Sequence, residues 1–109
     1  ITKALLGENH PNYAIGLSNL AKVCFDMGQL QKAVSLYKQA LEIDKITISE
    51  SHPEHARHLN NLANVYREME EFEQAEPLYK RAIDIAETAL GQDHPNTTLY
   101  KANYAKMQS

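Results

Sequence analysis

The sequence predicts an all-α fold, a right-handed stack of antiparallel helix pairs with no strand. Three observations carry that expectation. His-Pro recurs at a fixed interval, with Pro11, Pro53 and Pro95 each 42 residues apart. Residues 8–49 laid over 50–91 agree at about 16 of 42 positions, and self-similarity at such a period marks an array of stacked units. Within each unit the apolar residues return at steps of three and four, the period of a helix, and nothing alternates at period two over a useful length.

Taken in order, residues 1–7 read as the end of a preceding unit, 8–49 and 50–91 as two whole units, and 92–109 as the first helix of a following one. Helices are expected over 11–27, 30–47, 53–69, 72–90 and 95–107. Each His-Pro opens a first helix, because proline is preorganised for the first turn and its missing N–H is not needed there. Leu17, Leu20, Ala21 and Cys24 form one face of the first such helix, and Leu59, Leu62, Ala63 and Tyr66 repeat it. Gly28 in "DMGQL" supplies the left-handed residue that ends the helix. Glu70 stands at the equivalent place in "EMEEF", where the same turn would cost up to about 1 kcal/mol. The second helices carry Ala33, Leu36, Tyr37, Ala40 and Leu41, then Ala75, Leu78, Tyr79, Ala82 and Ile83. Gly7 and Gly91 end second helices. Pro77 falls about two turns into its helix and removes one backbone bond; a slight outward bend is expected, not a break.

Composition narrows the function classes. The 109 residues suffice for one domain with a modest core. A net charge of −3 offers no broad field for nucleic acid or an anionic membrane. No apolar run approaches the roughly 20 residues of a membrane span, and no signal peptide is visible. The chain starts at Ile1, so it is expected to be a slice of a longer protein. A single cysteine, Cys24, excludes an intrachain disulfide and fits a reducing, cytoplasmic compartment.

The small-large pattern resembles the tetratricopeptide repeat, which places a leucine pair, a small residue and an aromatic on its first helix, and small, aromatic and small residues on its second. The usual unit has 34 residues, so the extra 8 (42 − 34) lengthen the second helix by about two turns. This longer unit, with "NNLA" and "AEPLYKRA", is similar to the repeats of kinesin light chains and their bacterial relatives. Cys24 in place of the usual aromatic, Lys101 at the first leucine position of the last unit and Ser49 in place of the loop glycine depart from the pattern.

The resemblance implies that first helices line a concave inner face and that a protein or peptide partner binds there. The non-core stripe of the middle first helix reads Arg57, Asn60, Asn61, Asn64 and Arg67, all near one face by steps of three and four. Asn19, Asn61 and Asn103 form one column across the units, and Lys22, Asn64 and Lys106 another. An asparagine amide donates and accepts at once, which suits an extended peptide backbone. Lysine and arginine suit acidic groups. The candidate groove is therefore Asn19, Lys22, Arg57, Asn60, Asn61, Asn64, Arg67, Asn103 and Lys106, mildly basic and matched to an acidic peptide. By the resemblance, Asn61 and Asn103 stand where kinesin-light-chain-like repeats hold cargo. The same asparagines could instead bond neighbouring helices and tune stacking. The carboxylate clamp of the chaperone-tail-binding repeats is not expected, because Ser18 and Leu99 occupy positions where that clamp is basic.

Other residues read more plainly. His52, His55 and His58 in "SHPEHARH" follow at steps of three, not the four of a familiar helical metal pair; no metal or other cofactor is expected. Cys24, Tyr37, Tyr66 and Tyr79 belong to the core, whereas Phe25 falls off the leucine stripe and faces a ligand or a neighbouring repeat. No nucleophile–base pair, phosphate loop or paired carboxylates suggest an enzyme. The alternative to a peptide groove is a purely structural or self-associating slice, in which Leu5 and Leu6 at one cut end and Tyr100 and Tyr104 at the other pair with another copy.

Overall fold

A computed structural model describes residues 11–108. The expected end of a preceding unit, with Leu5, Leu6 and Gly7, lies outside the described residues. The elements are α1 (Pro11–Asp26), α2 (Leu30–Thr47), α3 (Pro53–Glu68), α4 (Phe72–Leu90) and α5 (Pro95–Gln108). No strand occurs among the described residues. Each boundary falls within one residue of the expectation.

The histidine of His-Pro has its own task. His52 stands at the N-cap of α3 with φ −76 and ψ 141, and its Nδ1 accepts the Glu54 amide at 3.0 Å. His94 does the same before α5, accepting the Asn96 amide at 3.0 Å. The imidazole thus takes one of the orphan donors of the first turn, while the proline after it has none to satisfy. The pair works as one start signal.

The stop signal is equally regular. At the end of α1 the Gln29 amide donates to the Cys24 carbonyl at 2.8 Å and the Gly28 amide to the Phe25 carbonyl at 3.0 Å. At the end of α3 the amides of Glu71 and Glu70 donate to Tyr66 and Arg67, both at 2.9 Å. This is the Schellman arrangement, and it needs a left-handed residue: Gly28 has φ 82, and Glu70 adopts φ 61 despite its side chain. The turn forms at both places, so the strain expected for Glu70 is present. Further on, α4 runs unbroken through Pro77, which is exposed, so the carbonyl freed by its missing N–H lies on the outer side.

Helices pair as α1–α2 and α3–α4, and each second helix packs on the following first helix, α2 on α3 and α4 on α5. The first helices also touch one another, α1 to α3 and α3 to α5, whereas α2 and α4 do not meet. A stack whose inner members touch and whose outer members stand apart curves toward the inner side. The first helices therefore line the concave face.

The core is continuous through both whole units. Tyr37 and Tyr79 are almost fully enclosed, Cys24 is 3% exposed and Tyr66 is buried. Two expectations need correction. Leu20 does not share the burial of its repeat mate: Leu62 is 3% exposed and Leu20 is 48%. Val23 and Met27 on the same side of α1 are also exposed, while Val65 and Met69 are covered. The reason is position, because α3 lies between two second helices and α1 packs against only one, α2, among the described elements. Tyr100, expected at an open end, is 2% exposed, and Tyr104 is half-buried with its ring 5.9 Å from that of Tyr79. Phe25 packs partly buried against the core.

Two predictions follow from this packing. Leu62→Ala should cost about 2–5 kcal/mol by urea unfolding, because it removes a side chain that is 3% exposed from between α3 and its neighbours. Leu20→Ala should cost under about 1 kcal/mol, since half of that side chain already faces solvent; equal costs would contradict the asymmetry. Separately, Glu70→Gly should raise stability by up to about 1 kcal/mol by relieving the left-handed strain.

Candidate functional site

The concave face holds a hollow of about 260 Å³ where α1, α3 and α5 converge. It is lined by Ser18, Asn19 and Lys22 from α1, Arg57, Asn60 and Asn61 from α3, and Asn96, Leu99 and Tyr100 from α5. Five of the nine candidate residues therefore come together: Asn19, Lys22, Arg57, Asn60 and Asn61. Their placement follows from the helix period, which sets 57, 60, 61 and 64 beside the leucine stripe. Asn19 and Lys22 are exposed, and Arg57 and Asn61 are half-buried. Lys22 pairs with Asp26 at 3.1 Å across a solvated turn of α1.

The other candidates lie elsewhere. Asn103, 8% exposed, donates from Nδ2 to Asn60 Oδ1 at 3.2 Å, and Asn60 itself is 3% exposed. Arg67 reaches across the same boundary and donates to the Asn103 carbonyl at 3.2 Å. Asn64 accepts the Tyr79 hydroxyl at 2.5 Å, tying α3 to α4; burial pushes the Tyr79 phenol up to about 12, so it stays a donor. These contacts join helices. Asn64, Arg67, Asn103 and Lys106 do not line the hollow. Asn60 belongs to both sets, bonded to α5 yet part of the wall.

On the outer side the gap between α2 and α4 leaves a second, more apolar hollow of about 510 Å³. Its floor is Leu59 and Leu62 of α3, with Leu41, His55 and Leu78 around it and Lys38, Glu42 and Lys45 at the rim.

Between the two hollows lies a buried polar cluster that the repeat pattern does not announce. Asp44 of α2 is 1% exposed. Its Oδ2 accepts His58 Nδ1 at 2.6 Å and His55 Nδ1 at 3.2 Å. Burial raises the Asp44 carboxyl, but hydrogen bonds from His55 and then His58 outweigh it, and the group lies below the ordinary carboxylate range. The far nitrogen of His58 meets Arg57 Nη2 at 3.4 Å and lies 3.8 Å from Glu54 Oε1. Arg57 Nε donates to that same Glu54 oxygen. The signal was available in one residue: Asp44 continues the stripe Ala33, Tyr37, Ala40, where Ala86 stands in the next unit. At that second junction Thr97 replaces His55, and its buried hydroxyl has no hydrogen-bond partner. Among the described residues no group of three or more His, Cys, Asp or Glu is arranged to hold a metal ion, and no helix is long and apolar enough to cross a membrane.

Asp44→Asn should expose the strength of this cluster. Leaving an imidazole N–H without its charged acceptor costs about 1–3 kcal/mol per group. Because the folded pKa of Asp44 is lowered, its contribution is present above the ordinary unfolded value of about 3.9 and is lost as pH falls through the folded value. The stability gap between wild type and Asp44→Asn should therefore stand above about pH 4 and close below it, as read by chemical unfolding at stepped pH.

Comparison with known proteins agrees with the geometry. Two family models described as tetratricopeptide repeat match residues 1–46 and 55–96. No curated protein matches the chain. Among solved structures, nearly identical TPR-like repeats of a protein from Podosopora anserina, described as a kinesin light chain, superpose with a TM-score of 0.78 at 24% identity over 97% of this chain. The chain spans 50% of that structure's length, and the likeness is one of fold. Tetratricopeptide repeats are generally protein-interaction scaffolds, not catalysts. With its repeats, its helix punctuation and both model matches in agreement, the chain belongs to the tetratricopeptide repeat family, in the kinesin-light-chain-like form of the fold.

Proposed function

We propose that this chain binds an extended segment of a partner protein in the concave hollow, with acidic side chains of that segment directed at Lys22 and Arg57. One observation supports the reading above the others: donors from three successive first helices converge on one concavity. Asn19, Asn61 and Asn96 offer amides that match backbone N–H and C=O groups. Lys22 and Arg57 supply positive charge in a chain whose net charge is −3. Leu99 is 51% exposed beside them, an apolar contact for the same ligand. Asn64, Arg67 and Asn103 bond neighbouring helices and do not line the hollow, so this reading gives the ligand contact to Asn19, Lys22, Arg57, Asn60 and Asn61.

A second reading rests on a different observation. Leu20, Val23 and Met27 form an exposed apolar strip on α1, which suits stacking against another repeat or self-association. The two readings separate on one set of proteins. Asn61→Ala should weaken a peptide selected from an array several-fold and leave the melting temperature unchanged. Arg57→Glu and Lys22→Glu should each weaken it further and flatten its salt dependence, because they reverse charges that face the ligand. If Asn61→Ala lowers the melting temperature and leaves affinity per folded molecule intact, or if a selected peptide contacts only the outer face, the groove reading fails. Light scattering that shows concentration-dependent growth, abolished by Met27→Lys, would support the second.

A further inference from the structure

The proton positions in the buried cluster are fixed by what its members can do. A carboxylate only accepts, so His55 and His58, both aimed at Asp44 Oδ2 through Nδ1, carry their hydrogens there. A guanidinium only donates, so the contact of Arg57 Nη2 with His58 Nε2 at 3.4 Å requires a lone pair on that nitrogen. His58 is fully enclosed, with a carboxylate behind it and the guanidinium of a groove residue in front. Glu54 stands between them, accepting Arg57 Nε and 3.8 Å from His58 Nε2.

We propose that His58, oriented by Asp44, is a positioning residue that holds Arg57 back against α3, and that a second proton on His58 releases Arg57 into the groove and strengthens its grip on anionic groups. The proposal rests on the groove reading given above. The step balances simply. Protonation replaces the Nε2 lone pair with an N–H, and the Arg57 contact turns from a hydrogen bond into a like-charge approach. The new N–H finds Glu54 Oε1 one small movement away, and Glu54 then exchanges Arg57 for His58. Arg57, whose side chain is 36% exposed, already lines the hollow and can turn further into it.

The groups that face His58 are few. From α2 comes Asp44, from α3 Glu54, His55 and Arg57. The Tyr100 phenol of α5 and the Tyr37 phenol of α2 lie within the reach of Arg57's charge, and burial pushes both above their ordinary value, so they stay neutral. Imidazole is the side-chain type that gains a proton between pH 8 and pH 5. His55 shares Asp44 but lines the outer hollow, away from Arg57, which makes it the internal control.

The test uses blocked hexa-aspartate, whose carboxylates remain ionised above about pH 5. Its affinity for the full chain at low salt should rise about fivefold or more from pH 8 to pH 5.5, within the usual range of coupling between sites. His58→Gln should flatten that change to less than about twofold, and His55→Gln should keep it. A flat wild-type profile, or a slope that survives His58→Gln, overturns the proposal while leaving the groove reading standing. If hexa-aspartate binds at neither pH, or if His58→Gln does not fold, nitrogen-15 spectra of the free wild-type protein decide. The Arg57 Nε–H resonance should move with the same midpoint as the His58 ring nitrogens, and an Arg57 signal that stays still as His58 titrates overturns the proposal on its own.

Discussion

Helices in this chain approach one another across alanines, and the rest of the architecture depends on that close approach. Ala14, Ala21, Ala33 and Ala40 in the first whole unit, and Ala56, Ala63, Ala75 and Ala82 in the second, are all fully enclosed. A methyl group is the largest side chain that lets two helix surfaces meet at the short end of the usual 8–10 Å interaxial range. Leucines and tyrosines then fill the space beside each crossing. Tyr37 and Tyr79 lie next to the alanine crossings and are closed over completely. Larger residues at the alanine positions would pry the pairs apart, and tightly packed interiors absorb such changes poorly.

From that contact follows the curvature, and from the curvature the groove. First helices meet their neighbours directly, so whatever lies along their mutual boundary is either consumed in joining them or displayed in the hollow between them. Asparagine suits this divided duty. In the Asn19, Asn61, Asn103 column the same residue type is exposed on α1, half-buried on α3 and enclosed on α5. Identical repeat positions thus carry different jobs, because each helix has a different set of neighbours. The repeat specifies where a side chain points, and the stack decides whether anything is there to meet it.

This explains what could be read from the residues alone. The helices, their caps and the core were readable because they obey local rules: His-Pro opens a helix, a left-handed residue closes it, and steps of three and four place Leu59, Leu62 and Ala63 together. The inner face was readable in outline, since the period sets Arg57 and Asn61 beside the leucine stripe. What escaped was pairwise and long-range. Nothing local distinguishes Asn60, bonded to a residue 43 positions away, from Asn61 next to it. The burial of Tyr100 and the exposure of Leu20 likewise depend on which faces gain a neighbour, and periodicity is blind to that.

The two inter-repeat junctions show how far one position can move a repeat from its template. Where Asp44 meets His55 and His58, the first junction has a satisfied polar centre. At the second, Ala86, Thr97 and Tyr100 stand at the corresponding repeat positions, all buried, and the Thr97 hydroxyl is left unpaired. A buried ionic group of this kind is weak evidence for added stability, because desolvation offsets much of the attraction. A pure packing argument would favour the second junction, since alanine and tyrosine fill space without burying charge. The first junction differs in one respect that packing does not require: through His58 it touches Arg57, and Arg57 opens onto the concave hollow. A charge enclosed between two repeats is thereby connected to the surface on which a ligand would rest, through the middle first helix, which forms walls of both hollows.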